Sequence, residues 1–216
     1  MKDNLTEIVF ILDQSGSMGH LRDDTIGGYN TYIEDQKKEP GEAYLTTVLF
    51  DDCYIVLHDH IKIQDVPVLT EKYYRPGGCT ALMDAIGRTI TSVGRRLADT
   101  PEEERPAHVI FVITTDGYEN ASKEYTREKV KQMIEHQQSK YSWTFLFFGA
   151  GIDAYQEAES IGIGSVHTMS VTADKTGTDN LYKSVITASN AVRSSVTLDG
   201  LDWKVGDVGC SDGNGT

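Results

Sequence analysis

The chain has 216 residues, which is enough for one α/β domain with a single hydrophobic core and rather short for two. Its formal net charge is −13, and such an excess of carboxylates repels nucleic acids and anionic membrane surfaces at physiological salt. We therefore expect neither nucleic acid nor a membrane as a partner, whereas cations and basic or metal-bridged partners stay open.

The cysteines and the apolar stretches bear on the cellular compartment. The three cysteines, Cys53, Cys79 and Cys210, are an odd number without CxxC spacing, which argues against a disulfide framework or a zinc knuckle. The chain starts without an apolar signal segment, and no run of about 18 apolar residues occurs. We expect a soluble, cytoplasmic protein with reduced thiols.

The first half of the chain predicts strands separated by a helix. A run of apolar residues at 8–12 indicates a strand buried on both faces. Core-type residues recurring every four positions over about 21–38 indicate a surface helix. Two further apolar runs, at 44–50 and 53–58, flank a two-residue break, which predicts a hairpin and with it one antiparallel edge strand.

The second half continues the alternation of helices and strands. A loop rich in glycine and proline at 75–80 leads into a helix whose apolar face runs from Leu82 to Leu97. The elements predicted after it are a strand at 109–113, a helix at about 122–140, a strand at 143–148, a helix at 154–161, a strand at 166–171 and a helix at about 179–195. Repeated strand–helix units predict an α/β fold, a doubly wound and mostly parallel sheet with helices on both faces.

The composition changes near the carboxyl terminus. We expect residues 1–197 to form the domain, and residues 198–216 to form an acidic, glycine-rich tail that is only loosely attached, because few large apolar residues could anchor it.

The most informative motif is Asp13-Gln14-Ser15-Gly16-Ser17, directly after the first strand. One carboxylate and two hydroxyls emerge on a tight turn at the carboxyl end of a parallel strand, where open α/β sheets hold their ligands. An all-oxygen set suits a hard cation such as Mg²⁺. Taken alone, the turn also fits a helix cap or an Asx turn without any ligand.

Two other segments converge on the same crevice, since Thr80 stands at a predicted helix start and Asp116 follows the strand at 109–113. The pattern DxSGS, then GGxT before a helix, then a strand followed by TDG resembles the von Willebrand factor A domain, whose signature forms a metal-ion-dependent adhesion site, or MIDAS. The resemblance extends from residue 7 to residue 195.

The resemblance implies a set of metal ligands, namely Asp13, Ser15, Ser17, Thr80 and Asp116. The cation in that family is usually Mg²⁺, with Mn²⁺ or Ca²⁺ as alternatives. Mg²⁺ requires octahedral oxygen coordination and keeps some of its water, so an ion with few protein carboxylates can accept one from outside. Stand-alone cytosolic members in prokaryotes and phages act as adaptors, which implies a non-enzymatic module that binds an acidic side chain of a protein partner.

Residues around the ligands are expected to support or extend the site. Asp84 resembles a family position that often carries aspartate, and we expect it to brace the ligands, although a place near a helix N-terminus explains it equally well. Exposed tyrosine and arginine are typical of protein interfaces. The expected rim of the crevice, with packing against neighbouring helices as the alternative, consists of Met18, His20, Tyr73, Tyr74, Arg75 and Tyr118.

Three alternatives stay open. The segment at 15–19 is one residue away from a G-x-S-x-G nucleophile elbow, so an α/β-hydrolase would use Ser17 with His136 or His167, but no oxyanion loop precedes the motif. The metal could also serve only to hold the loops together. Lastly, acidic tail residues could occupy the metal of the same or a neighbouring molecule and so cause self-association: Asp202, Asp207 and Asp212. The oligomeric state is left open.

Overall fold

The computed structural model describes residues 1–209 of the chain. Within them, six strands form one sheet in the order β3-β2-β1-β4-β5-β6. The strands are β1 Lys2–Asp13, β2 Glu42–Phe50, β3 Tyr54–Lys62, β4 Pro106–Thr115, β5 Thr144–Ala150 and β6 Thr168–Val171. The α-helices are α1 Arg22–Gln36, α2 Leu82–Asp99, α3 Arg127–Tyr141, α4 Ala154–Ser160 and α5 Lys175–Arg193.

Strand β1 lies at the centre of the sheet because it is apolar on both faces. It pairs in parallel with β2 on one side and with β4 on the other. Strand β3 runs antiparallel to β2 at one edge, and the remaining pairs are parallel. The predicted α/β architecture, mostly parallel with one antiparallel edge strand, is confirmed.

Alternate side chains of β1 enter two separate cores, one on each face of the sheet. Phe10 faces α1 and α5 and makes edge contacts with the rings of Tyr29 and Tyr32, at centroid distances of 5.3 and 5.4 Å. Val9 and Ile11 face the other core, which is covered by α2, α3 and α4. Burial on both faces holds the carboxyl end of β1 in a fixed position, and this end carries Asp13.

Two helix starts differ from the prediction. Helix α3 begins at Arg127 rather than near 122, with the Thr126 hydroxyl accepting from the backbone N–H of Lys129 at 3.2 Å. Helix α5 begins at Lys175 rather than near 179, because the Asp174 side chain caps it by accepting from the N–H of Gly177 at 2.8 Å. Both caps are polar side chains, and the spacing of apolar residues, on which the prediction was based, gives no information about them.

The tail differs from the expectation over residues 198–209, which lie against the domain. Trp203 is 1% exposed and makes an edge contact with Phe148 of β5. The Asp207 carboxylate accepts from the backbone N–H of Ser170 at 2.9 Å and from the Tyr155 hydroxyl. The expected loose attachment is therefore wrong for this stretch, while the domain division at residue 197 stays a prediction and residues 210–216, with Asp212, lie outside the described residues.

None of the helices in the described part of the chain combines the length and the apolar character that crossing a bilayer requires.

Candidate metal centre

The ends of β1 and β4 place Asp13 beside Thr115. The register of the two strands pairs Leu12 with Thr114, so the next residues, Asp13 and Thr115, lie side by side at the carboxyl ends of β1 and β4. The Thr115 hydroxyl donates to Oδ2 of Asp13 at 2.6 Å, and the backbone N–H of Ser15 donates to Oδ1 at 2.6 Å. These two contacts hold the fully buried Asp13 carboxylate in one orientation.

The serine hydroxyls extend the cluster toward Asp116. Oγ of Ser15 lies 3.2 Å from Oγ of Ser17, and Ser17 donates to Oδ1 of Asp116 at 2.5 Å. Thr80 comes within reach through Gly117, since a Cβ built on this glycine would lie 3.0 Å from Oγ1 of Thr80 and 3.6 Å from Oγ of Ser17. The structure thus brings together all five residues predicted as ligands.

Thr80 is placed by hydrogen bonds between loops. The N–H of Gly77 donates to the carbonyl of Gln14 at 2.8 Å, and the N–H of Gly16 donates to the carbonyl of Gly78 at 3.1 Å. Gly78 has φ +70°, a backbone conformation that glycine adopts without strain. The loop before Thr80 is in this way fastened to the loop that carries the serines.

Asn120 and Glu119 contribute to the site in a way that the sequence did not indicate. The side-chain carbonyl of Asn120 accepts from the backbone N–H of Thr80 at 2.9 Å, and the backbone N–H of Asn120 donates to the Thr80 carbonyl at 3.0 Å. Glu119 accepts from the N–H of Met83 at 2.8 Å, at the start of α2. Both residues therefore connect the loop after Asp116 to the Thr80 segment.

Asp84 braces the same loop from behind. Its carboxylate accepts from the backbone N–H groups of Lys123, Glu124 and Tyr125 at 2.8 to 2.9 Å. Burial raises the pKa of Asp84, but the three N–H groups outweigh it and hold the pKa below its ordinary value. Its hydrogen bonds within residues 1–209 go to the loop rather than to the five oxygen-bearing side chains.

The electrostatics of the site favour a cation. Burial raises the pKa of Asp13 to about 6, and burial also raises the pKa of Asp116. Neither carboxylate forms an ion pair with lysine, arginine or histidine within the described residues. A divalent ion would offset this uncompensated negative charge.

The donor chemistry also fits a hard cation. No group of three or more His, Cys, Asp or Glu side chains in residues 1–209 is arranged to hold a metal, so an ion at this site would depend on the hydroxyl oxygens as well as on the two aspartates. Neutral hydroxyls with two carboxylates form a low-charge, all-oxygen set of the kind that suits Mg²⁺.

The rim residues fall into two groups. Tyr73 and Tyr118 are 51% and 52% exposed, and His20 and Arg75 are exposed as well. His20 places its two ring nitrogens 2.7 Å from the Ser17 carbonyl and 3.2 Å from the Ala173 carbonyl, contacts that raise its pKa. These four side chains are available to a partner that reaches the crevice.

Two residues predicted for the rim are instead buried. Tyr74 has no exposed surface and donates from its hydroxyl to the backbone carbonyl of Asp13 at 2.6 Å. Met18 is buried in the core between the sheet and helices α1 and α5. Both side chains pack into the core, so they support the site rather than line its surface.

The histidines of the hydrolase alternative lie away from Ser17. Within residues 1–209 no histidine nitrogen hydrogen-bonds to the Ser17 hydroxyl, which donates to Asp116 instead. His136 belongs to α3, and His167 precedes β6 with a pKa lowered by burial. A Ser–His pair of the kind that activates a nucleophile is not assembled among these residues.

No protein-family model matches this chain, and no curated protein matches it. Among solved structures, proximal thread matrix protein 1 from the mussel byssus is similar at a TM-score of 0.61 and 16% identity, over 86% of this chain and 48% of that one. A second structure of the mussel protein, described as having a zinc-occupied MIDAS motif, is similar at a TM-score of 0.60.

Proteins from two other organisms are similar as well. The manganese-loaded TRAP protein of Plasmodium vivax has a TM-score of 0.54 at 17% identity, over 86% of this chain and 75% of that one. A von Willebrand factor type A protein from Catenulispora acidiphila has a TM-score of 0.55 at 16% identity, over 86% of this chain and 42% of that one. This chain spans less than half the length of the mussel and Catenulispora proteins. At these identities the likeness concerns the fold alone, and the chain has the fold of a von Willebrand factor A domain.

Proposed function

We propose that this chain is a divalent-cation-dependent protein-interaction domain, which binds an acidic side chain of its partner through a metal ion held by Asp13, Ser15, Ser17, Thr80 and Asp116. The observation that carries the proposal is the convergence of these five oxygen-bearing side chains. Burial raises the pKa values of the two carboxylates among them, and neither forms an ion pair with a cation within residues 1–209. Mg²⁺ is the proposed ion because the donors are hard oxygens.

The cation would supply a positive centre to which an external carboxylate can bind. Each protein residue has a part in preparing that centre. Asp13 is held by Thr115 and Ser15, and Ser17 links Asp116 to the remaining hydroxyls. Metal-loaded structures of similar fold, with zinc or manganese, support a divalent cation.

The exposed residues around the crevice suit a protein partner. Tyrosine and arginine side chains contribute much of the binding energy at protein interfaces, and Tyr73, Tyr118 and Arg75 are exposed at the rim. We propose an adaptor role in the cytoplasm, in which the metal contributes the charge-assisted contact and the rim contributes the selection of the partner.

A non-catalytic role is part of the proposal. It is supported by the hydrogen bond from Ser17 to Asp116, since both oxygens belong to the proposed ligand set and would be engaged by the cation rather than by a substrate. The alternative in which the metal only holds the loops together predicts that partner binding survives metal removal, and an experiment can separate the two.

The test is affinity capture of partners on the immobilised protein under three conditions: with Mg²⁺, with EDTA, and with Mg²⁺ on the Thr80→Val variant. Thr187→Val, which removes an exposed hydroxyl from α5, is the matched control. We expect a set of partners that bind to the wild type and to Thr187→Val in Mg²⁺ and that are lost both in EDTA and on Thr80→Val. If the partners lost on Thr80→Val stay bound to the wild type in EDTA, the metal is structural.

A further inference from the structure

A second feature lies at the amino ends of the parallel strands, opposite to the carboxyl ends that carry the metal centre. A groove of about 1160 Å³ runs between α2 and α3 and is lined at its base by Pro106, Val109 and Trp143. These residues stand at or just before the starts of β4 and β5, whereas Asp116 follows the end of β4. With a rise of about 3.3 Å per residue, the ten residues of β4 separate the two features by roughly 30 Å.

The groove concentrates positive charge on a strongly acidic protein. Arg95, Arg105, Lys129 and Lys140 line it, and Glu102 is the acidic residue among the lining residues in the described part of the chain. None of the four cations forms an ion pair with a carboxylate within residues 1–209. Four unpaired cations around one groove stand out on a chain whose net charge is −13.

One of these cations is already positioned by the backbone. Arg105 donates from Nε to the Thr100 carbonyl at 2.8 Å and from Nη2 to the Ala98 carbonyl at 3.1 Å. Its charge is thereby held at the end of α2 without being neutralised. A fixed guanidinium loses little conformational entropy when a carboxylate binds to it.

The base of the groove is apolar and rigid. Trp143 stacks on Phe111 of β4 at a centroid distance of 5.3 Å, and Leu97 and Val109 belong to the same buried core. Met133 of α3 packs against this core and supplies an adaptable apolar side chain. The groove therefore offers positive charge at its rim and a small apolar area at its base, where Trp143 and Val109 are 6% and 5% exposed and Met133 is half-buried.

We propose that this groove is a docking site for an acidic segment of a protein partner, in which carboxylates alternate with apolar side chains. Its volume exceeds the range of about 300–1,000 Å³ that is usual for small-molecule sites. A nucleic acid would be repelled by the rest of the surface and would leave the apolar base uncovered. The undescribed residues 210–216 contain one acidic residue, Asp212, so they do not supply such a segment.

With this groove, the protein would have two separate binding sites for partners. Binding here needs no metal, because the cations are side chains of the protein itself. The proposal is thus independent of the function proposed for the metal centre, and either can fail without the other. One partner bound in the groove and another bound at the metal centre would be held at opposite ends of the same parallel strands.

The test measures fluorescence anisotropy of a short labelled peptide that alternates glutamate with leucine, titrated with the full chain in EDTA so that the metal centre cannot contribute. The groove variant is Lys129→Glu with Lys140→Glu. The matched control is Lys62→Glu with Lys183→Glu, which makes the same charge change at exposed positions of β3 and α5. A peptide with glutamine in place of glutamate tests the need for charge.

We expect binding that weakens with added salt, weakens roughly tenfold or more in the groove variant and is unchanged in the control variant. The indole N–H resonance of Trp143 should shift on binding. Absence of binding, equal effects of the two variants, or a requirement for Mg²⁺ would overturn the proposal. So would tighter binding of a labelled single-stranded oligonucleotide or of phosphatidylserine vesicles, or a dimer of the chain that the groove variant abolishes.

Discussion

Thr115 donates a 2.6 Å hydrogen bond to Oδ2 of Asp13 across the β1–β4 pair, and this contact links the two strand ends that carry the aspartates of the metal centre. The Thr115 hydroxyl also lies 3.1 Å from the N–H of Gly117 and 3.0 Å from its carbonyl. One threonine hydroxyl thus orients the buried carboxylate and the turn that follows Asp116.

Substitution Thr115→Val should weaken metal binding and stability together. The buried Asp13 carboxylate would lose a donor, a loss of about 1–3 kcal/mol in the free energy of unfolding. Urea denaturation in EDTA measures this change, and calorimetric titration with Mg²⁺ measures the affinity. Thr187→Val is the control and should change neither; an unaltered affinity in Thr115→Val would count against the proposed orientation of Asp13.

Stability without metal should depend on the ionisation of Asp13. Its pKa of about 6 lies above the ordinary value of 3.8, so the folded state binds the proton more tightly than the unfolded chain does. Stability from this group is present at low pH and is lost as the pH rises from about 4 to about 6, on the order of 2–3 kcal/mol in total.

The comparison of wild type with Asp13→Asn isolates this effect, since the asparagine cannot ionise. In EDTA, the unfolding free energy of Asp13→Asn relative to wild type should rise between pH 4 and pH 7 by about the stated amount. The affinity of wild type for Mg²⁺ should fall below pH 6, because protons compete for the carboxylate. A difference between the two proteins that is constant with pH would show that Asp13 titrates normally.

Substitution Gly117→Ala should damage the metal centre through space alone. The added Cβ would lie 3.0 Å from Oγ1 of Thr80, closer than side chains tolerate without a shift. We expect a fall in Mg²⁺ affinity of roughly tenfold or more, with little loss of stability. Gly77→Ala is the matched control because nothing lies within 4 Å of its added Cβ. Equal affinities of the two variants would mean that Thr80 does not approach the ion.

The buried Glu7 should contribute far more to stability than an exposed carboxylate does. Glu7 is 1% exposed and pairs with Arg96 at 2.5 Å and with His60 at 2.8 Å. Replacing it by glutamine leaves Arg96 with the exposed Asp59, 3.1 Å away, as its remaining counter-charge, which costs about 1.5–3 kcal/mol in the free energy of unfolding. Glu124→Gln, which breaks the exposed pair with Arg88, should cost about 1 kcal/mol or less. Similar losses in denaturant titrations of the two variants would contradict the difference in burial.

The tail should behave as part of the domain. Trp203→Ala empties the site against Phe148 and should lower the free energy of unfolding by about 3–5 kcal/mol. The exposed Val205, replaced by alanine, is the control and should have little effect. If the two variants melt alike, the tail is dispensable for stability.

Much of the fold follows from patterns that the sequence displays directly. The apolar run before Asp13 predicted a strand buried on both faces, and this strand is one of the two in the middle of the sheet. The strand–helix alternation then predicted parallel pairing, so Asp13 and Asp116 had to lie at the same end of the sheet, the carboxyl end of its parallel strands. Convergence of Asp13 and Asp116 could therefore be predicted from chain order, whereas the full set of five ligands, with Thr80, was what the resemblance to the family motif implied.

What could not be predicted depends on contacts between residues far apart in the chain. Asn120 binds Thr80 across 40 positions, and Tyr74 binds the Asp13 carbonyl across 61 positions, without any local pattern that marks either pair. The burial of Trp203 was missed for a related reason, since nothing local distinguishes it from the neighbouring apolar residues Leu201 and Val205, which are exposed. Loop-to-loop hydrogen bonds and single anchors are thus the parts of this site that require the structure.

Calorimetric titration of Mg²⁺ into the metal-free protein tests the central claim most directly, with Asp13→Ala and Thr187→Val measured alongside. We predict that wild type and Thr187→Val bind one divalent ion per chain at millimolar or lower metal concentration, and that Asp13→Ala does not. Absence of Mg²⁺ and Mn²⁺ binding by wild type at millimolar metal, or equal binding by Asp13→Ala, would contradict a metal centre at the carboxyl ends of β1 and β4.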